Sequence, residues 1–424
     1  MKTWIMLKRI ISLQNIFIAI ITTINVLIFI QTFRSSIHTP PSPPPPVTDN
    51  PKVVTADSIS KNEDNTLKIL EYIQKNGAEP VDKLLHVNTK RVNMGKCNHI
   101  YGKVMVFVAV EEVAYRSQYK LALDSLRCYI ASTDYQLKII DVFKDERSNK
   151  MCADYKTVYF RKHCAARYYL EDTDWMLVMD ADSGIVNPNH CIEEYIDDRV
   201  DMVFYERFFN WEIACGNYLV KNTNFSKDFL MRWADYEKLE IGGNWWKGFD
   251  NGAIHITALE SIFPPDSQEV RSCRNIWYTP TGYETYIPYV MCVRFYLGGV
   301  RLWPRKFKLL RRAHSFCRDW YHTGNDWCEK DFLIHGWKAK HVLDQNWPSP
   351  FIHDFDLSKC GAHEDGWPWR PENRKSCRDL KLAIFNNEKA YAKDLPKQHI
   401  VIPFLNQTDV GDCYPDCDIR ERIH

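Results

Sequence analysis

Trp175-Met176-Leu177-Val178-Met179-Asp180-Ala181-Asp182-Ser183-Gly184 is the stretch whose reading decides the fold. Five apolar residues in a row describe a short strand buried on both faces, the pattern of a parallel sheet covered by helices. Two carboxylates follow where that strand should end. In open α/β sheets, ligands bind beyond the carboxyl ends of the strands. Asp180 and Asp182, separated by the small Ala181, place two hard oxygen donors there. Mg²⁺ and Mn²⁺ take carboxylate and water oxygens and share them with substrate phosphates. The pair is therefore expected to hold a divalent cation and, through it, a diphosphate. An acidic surface turn is the plainer alternative.

The neighbouring segments extend the sheet. Lys103–Val110 is a continuous apolar strand, Tyr115–Ala131 a helix, Gln136–Phe143 a second strand and Tyr155–Leu170 a second helix. Strand–helix–strand–helix–strand implies parallel pairing through right-handed crossovers. After the acidic pair, Asp201–Tyr205 and Cys215–Asn222 are further strands, Phe225–Tyr236 is a helix, and Gly248–His255 opens another. The fold class is α/β: a Rossmann-like, mostly parallel sheet with flanking helices, without a Gly-x-Gly-x-x-Gly turn. From Trp277 onward the chain is rich in Trp, Gly and Pro. It includes a short apolar run, Leu333-Ile334, followed by His335, Gly336 and Lys338.

Composition narrows the class of function. The 424 residues carry 55 basic and 54 acidic side chains, net +1, and no basic block, so no nucleic-acid partner is expected. The 14 cysteines all lie between Cys97 and Cys417, with no Cys-x-x-Cys pair. Disulfides in an oxidising lumen fit that distribution better than a zinc ribbon. Residues 10–30 carry no charge and are long enough to span a bilayer, with Lys2, Lys8 and Arg9 before them. The expected organisation is a cytosolic tail (1–9), a transmembrane signal anchor (10–30), a Pro-rich linker and stem (31–96) and a lumenal catalytic domain (97–424). Six prolines between Pro40 and Pro46 make an extended spacer, and Leu67, Leu70 and Ile73 recur at helical spacing in the stem, a route to a homodimer. Asn224-Phe225-Ser226 and Asn406-Gln407-Thr408 have the form of glycosylation acceptors. The whole has the layout of a single-pass type II protein of the Golgi membrane.

Together these blocks resemble the A-type fold of nucleotide-sugar glycosyltransferases. Trp175–Pro188 is similar to that fold's Asp-x-Asp block. Gly216-Asn217-Tyr218-Leu219-Val220-Lys221-Asn222, with Phe225-Ser226, is similar to a segment of the fungal galactosyl- and mannosyltransferases and plant xylosyltransferases. Asp250-Asn251-Gly252-Ala253 stands where that family has Asp-Gln-x-Ala, and His335-Gly336 where it has a metal-binding His. The chain also resembles a nematode-expanded family of unknown function through Trp-Met-Leu-Val-x-Asp-Ala-Asp and the following Asn-Pro-Asn-His-Cys-Ile-Glu-Glu.

The resemblance implies a metal-dependent transfer of a hexose or pentose from a nucleotide diphosphate sugar, a UDP-sugar ahead of a GDP-sugar, to a glycan acceptor. Asp180, Asp182 and His335 would hold Mn²⁺ or Mg²⁺. Lys162, His163, Asp180 and Lys338 would meet the donor, and Asp250 and Asn251 would lie beside the sugar. Plainer roles compete: helix capping for Asp250, a solvated lysine for Lys338, a solvated helix face for Lys162 and His163. An aspartyl-phosphate phosphohydrolase is the rival chemistry, but Gly184 stands where it wants Thr or Val. A catalytically inactive glycan-binding or scaffolding protein is the other rival.

Overall fold

The computed structural model describes residues 91, 95–111, 117–207, 210–239, 249–311, 316–339, 349–361 and 363–394. The chain divides into two units, Met1–Val81 and Asp82–His424, and every described residue lies in the second. The expected tail, anchor, spacer and stem helix therefore lie outside the described residues, as do Cys413, Cys417 and the acceptor at Asn406. Among the described residues no helix is long and apolar enough to cross a membrane.

The centre is a mixed α/β layer arrangement. In chain order the larger sheet comprises β1 (Val104–Val110), β2 (Gln136–Asp141), β3 (Trp175–Met179), β5 (Met202–Tyr205), β6 (Tyr218–Lys221) and β7 (Phe307–Leu310), in spatial order β2-β1-β3-β6-β5-β7. β1 pairs in parallel with β2 and β3, and β5 with β7, while β6 runs antiparallel to both its neighbours. The sheet is thus mostly parallel with one reversed strand. β1 and β3 are buried along their whole length. Their side chains alternate between two apolar clusters: Met105, Phe107, Met176 and Val178 face one, and Val106, Val108, Leu177 and Met179 the other. A strand covered on both faces has no polar positions, which is why it reads as an unbroken apolar run.

The helices are α1 (Lys120–Ala131), α2 (Glu146–Cys152), α3 (Val158–Tyr169), α4 (Asn224–Asp235), α5 (Asp250–Ile262), α6 (Gln268–Trp277), α7 (Tyr283–Leu297) and α8 (Cys377–Asp394). α6 buries Val270, Cys273 and Trp277 at helical spacing, a one-sided stripe that the reading of the sequence passes over. α7 is buried around most of its girth and carries Pro288, so it lacks the one-sided stripe that marks a helix.

A second, small sheet completes the site. β4 (Ser183–Ile185), β8 (Cys317–Asp319) and β9 (Leu333–His335) lie in the order β4-β9-β8. β9 is antiparallel to β4, with Ser183 opposite His335, and parallel to β8, with Asp319 opposite His335. Among the described residues five disulfides tie the body: Cys97–Cys191, Cys128–Cys360, Cys152–Cys164, Cys273–Cys292 and Cys328–Cys377. Cys215 and Cys317 are buried thiols outside these bridges.

Candidate metal and donor site

The site follows from strand order. β3 lies between β1 and β6, and its carboxyl end delivers Asp180 to the rim of the sheet. Because β6 is reversed, its beginning lies beside the end of β3: Val178 is opposite Tyr218. The residues before Tyr218 therefore pass close to Asp180. Gly216 does so with no side chain, and a Cβ there would collide with the Asp180 carboxylate. Two residues beyond Asp180, in the turn that leads into β4, Asp182 is clamped from behind. Its carbonyl accepts the backbone N–H groups of both Gly336 and Trp337, and Trp337 fills the space that a side chain at Gly184 would need.

Three ligand-type side chains converge here. The carboxylates of Asp180 and Asp182 and the imidazole of His335 place donor atoms within 4.8 Å of one another. His335 Nε2 lies 3.3 Å from Asp182 Oδ1 and 3.8 Å from Asp180 Oδ2. Two carboxylates and one imidazole make a donor set that suits Mn²⁺ or Mg²⁺, with room for water and phosphate oxygens. Without a cation the cluster neutralises itself. Burial alone would lower the His335 pKa, but Asp182 and Asp319 reverse this and push it up to about 10. Burial would raise Asp182, but His335 and Lys338 bring it down to about 2. Asp182 is buried rather than a free strand-end carboxylate, because β9 and Trp337 close over it.

Lys162, on α3, joins this cluster to a second one. Its Nζ lies 2.9 Å from Asp180 Oδ1 and 2.7 Å from Asp250 Oδ2. All of α3 from Phe160 to Ala166 is buried, so Lys162 is an interior cation and not part of a solvated face. Burial would lower its pKa, yet Asp180 and Asp250 carry it well above the ordinary lysine value. Asp250 answers in kind: burial would raise it, but Lys162 and His163 hold it well below the carboxylate range.

His163 is fully buried behind Lys162. It meets Tyr218 Oη through Nδ1 at 2.8 Å and Asp250 Oδ2 through Nε2 at 3.3 Å, and stacks on Trp233 with ring centroids 3.5 Å apart. Burial lowers its pKa to about 4, so it is neutral. Asp250 opens α5, but its carboxylate turns to Lys162 and His163, and the backbone N–H it accepts is that of the adjacent Asn251, at 3.0 Å. Phe249 is the capping residue. Asn251 Oδ1 accepts the Cys215 thiol at 2.8 Å, a thiol that burial keeps protonated. Lys338 is partly exposed, with Nζ 3.7 Å from Asp182 Oδ2.

Asp180, Asp182 and His335 thus meet, with Lys338 at their edge, while Lys162 links them to Asp250, His163 and Asn251. Sequence reasoning missed Gly216, Cys215, Tyr218, Trp233 and Asp319. A β-strand reversed beside β3 would have pointed to the first three; nothing local marks Asp319.

Residues 126–349 match the family described as "Protein of unknown function, DUF273". The chain belongs to that family. The match runs from α1 past β9 and so takes in every residue of the two clusters. No curated protein matches the chain. Among solved structures, it is similar to a glycosyltransferase involved in the glycosylation of the major capsid of PBCV-1, at 13% identity and a TM-score of 0.28, over 55% of this chain and 93% of that one. A likeness that distant does not reach activity, and the functional reading rests on the site itself.

Proposed function

We propose that this DUF273 protein is a divalent-cation-dependent glycosyltransferase, moving a hexose or pentose from a nucleoside diphosphate sugar to a glycan acceptor. The observation that carries the reading is the convergence of Asp180, Asp182 and His335 at the carboxyl end of β3. Lysines flank it on both sides. Asp180, Asp182 and His335 would hold Mn²⁺ or Mg²⁺, which supplies Lewis acidity toward the charge that builds on a departing diphosphate.

The chain's own groups do the rest. Lys162, held by Asp250, keeps a fixed positive charge beside Asp180. Lys338 offers a partly exposed cation beside Asp182, suited to a phosphate oxygen. Asn251 has its amide oxygen engaged by Cys215, so its NH₂ is left for a sugar hydroxyl. Asp250 is only 1% exposed, so its part is to fix Lys162 rather than to touch the sugar. Ten cysteines in disulfides suit an oxidising compartment, which supports a Golgi lumenal body on a type II anchor. A UDP-sugar is the first donor to try, ahead of a GDP-sugar.

The experiment is a screen of the full chain against UDP- and GDP-sugars with Mn²⁺, read by thermal shift and by release of nucleoside diphosphate. A cognate donor should raise the melting temperature by mass action only when the cation is present, and should turn over. Binding without turnover would replace the enzyme with a glycan-binding relative, and no response to any donor would remove the donor reading altogether.

A further inference from the structure

The geometry points to Asp319 as a positioning residue that acts through His335 to ready the site for a cation; this rests on the cation-binding reading above. His335 has two ring nitrogens with separate tasks. Nε2 faces Asp182 and Asp180. Nδ1 faces away, 2.7 Å from Asp319 Oδ1. An ionised carboxylate can only accept, so Nδ1 carries the proton and donates it. In a neutral imidazole that leaves the lone pair on Nε2, the nitrogen turned toward the two aspartates. Asp319 therefore selects the tautomer and the ring orientation that bind a cation, the outer-shell arrangement of carboxylate and histidine that tunes metal sites.

The backbone makes this contact obligatory. Asp319 and His335 are direct neighbours across the parallel β8–β9 pair. Each ends its strand, and the residues that follow, Trp320 and Gly336, pack against each other. Gly336 has φ +104°, and a Cβ there would run into the Trp320 indole. With no side chain at 336, the two strand ends stay close enough for the Asp319–His335 bond. Asp319 is buried, at 6% exposure, and so is not an incidental surface partner. The same turn sends the N–H groups of Gly336 and Trp337 to the Asp182 carbonyl, so one short segment registers His335 against both Asp182 and Asp319.

The test is Mn²⁺ binding by the full chain, followed through the electron paramagnetic resonance of free Mn²⁺, for the parent, Asp319→Asn and Asp319→Ala. Asp319→Asn keeps the size and an acceptor oxygen, and thermal unfolding checks that it folds. Affinity should fall by about tenfold in Asp319→Asn and by up to about a hundredfold in Asp319→Ala, without loss of the folded state in the former. A second readout needs no variant: in Mg²⁺-loaded parent protein, ¹⁵N–¹H correlation of the histidine rings should show His335 protonated at Nδ1. Variants that bind Mn²⁺ as the parent does, or a parent His335 protonated at Nε2, would overturn the role of Asp319 while leaving the cation site standing. A parent that binds no Mn²⁺ would overturn both.

Discussion

The ammonium of Lys162 lies 2.7 Å from the carboxylate of Asp250, and the two side chains are 8% and 2% exposed. Each is stranded without the other, but unequally. Lys162 has a second carboxylate in Asp180, at the rim. Asp250 has besides it the neutral His163 and one backbone N–H. Removing one partner of a buried pair costs about 3–5 kcal/mol, because the remaining charge is left in a poor solvent. Lys162→Met should therefore destabilise strongly, Asp250→Asn less, and the double variant less than Lys162→Met alone. Urea unfolding of the three variants checks this. A Lys162→Met loss under about 1 kcal/mol would mean that water reaches the pair and relieves it.

Acid stability should be set by histidines that fold as neutral groups. Burial lowers His163 and His255 to about 4 and His322 to about 3, from an ordinary 6.5. Above pH 6.5 these three imidazoles are neutral in both the folded and the unfolded chain, and their full contribution to stability is present. Between 6.5 and 4 the unfolded chain takes up protons that the folded chain refuses, so stability falls as pH falls. At pH 5 each such group contributes a loss on the order of 1–2 kcal/mol. His255 illustrates why: Nδ1 is bonded to the Asn251 carbonyl at 2.8 Å and Nε2 accepts the Ile213 N–H at 3.0 Å, leaving no place for another proton. The urea midpoint should drop as pH falls from 6.5 toward 5; His335, pushed up to about 10, acts in the opposite sense and only above 6.5. A midpoint unchanged down to pH 5 would contradict the neutral assignment, as would histidine ring resonances that titrate near 6.5 for all three.

What the sequence makes legible depends on how local the determining contacts are. β1 and β3 could be placed because an unbroken apolar run of five to seven residues is itself the signature of a strand covered on both faces. The carboxylates after β3 follow from chain direction alone. α3 was placed too, yet its buried Lys162 could be taken for a solvated residue, since only the packing of α3 shows that the lysine points inward. The reversal of β6 is not legible in the sequence, because a four-residue strand reads alike in either direction. β4, β8 and β9 are three residues each and paired across long stretches of chain, so Asp319 could be found only from their register. Asp182 looked exposed for the same reason: its cover, Trp337, comes from more than 150 positions away.

The disulfides should differ in importance. Cys128–Cys360 closes a loop with a sequence separation of 232, and Cys152–Cys164 one of 12. On the chain-entropy account the long bridge removes more freedom from the unfolded state, by roughly 2 kcal/mol or more. The pair Cys128→Ala with Cys360→Ala should therefore lower the urea midpoint further than Cys152→Ala with Cys164→Ala. Among the described residues ten cysteines are bridged, out of 14 in the chain, so alkylation of the denatured, unreduced protein should modify four at most, Cys215 and Cys317 among them. Uptake at ten or more sites would refute the bridges and the oxidising compartment together.

Asp182→Asn isolates the charge at the centre of the site. The substitution keeps size and leaves the backbone clamp intact, since the Asp182 carbonyl and not its side chain receives Gly336 and Trp337. Because Asp182 is buried against His335 Nε2 and Lys338, losing its charge should lower stability by about 1.5–3 kcal/mol, the range for charged hydrogen bonds. The fold should nonetheless persist. Mn²⁺ affinity should fall, because hard cations depend on charged oxygen donors. If the proposed transfer is the reaction, its rate should drop by about a thousandfold, equivalent to about 4 kcal/mol of transition-state stabilisation. Lys338→Ala is the companion: it removes a neighbouring charge without removing a ligand, so it should weaken donor binding and spare Mn²⁺. Mn²⁺ titration, donor-dependent thermal shift and transfer rate, measured on both variants, separate these effects. An Asp182→Asn protein that folds, binds Mn²⁺ as tightly as the parent and transfers sugar at the parent rate would exclude Asp182 as a ligand and, with it, the mechanism built on this cluster.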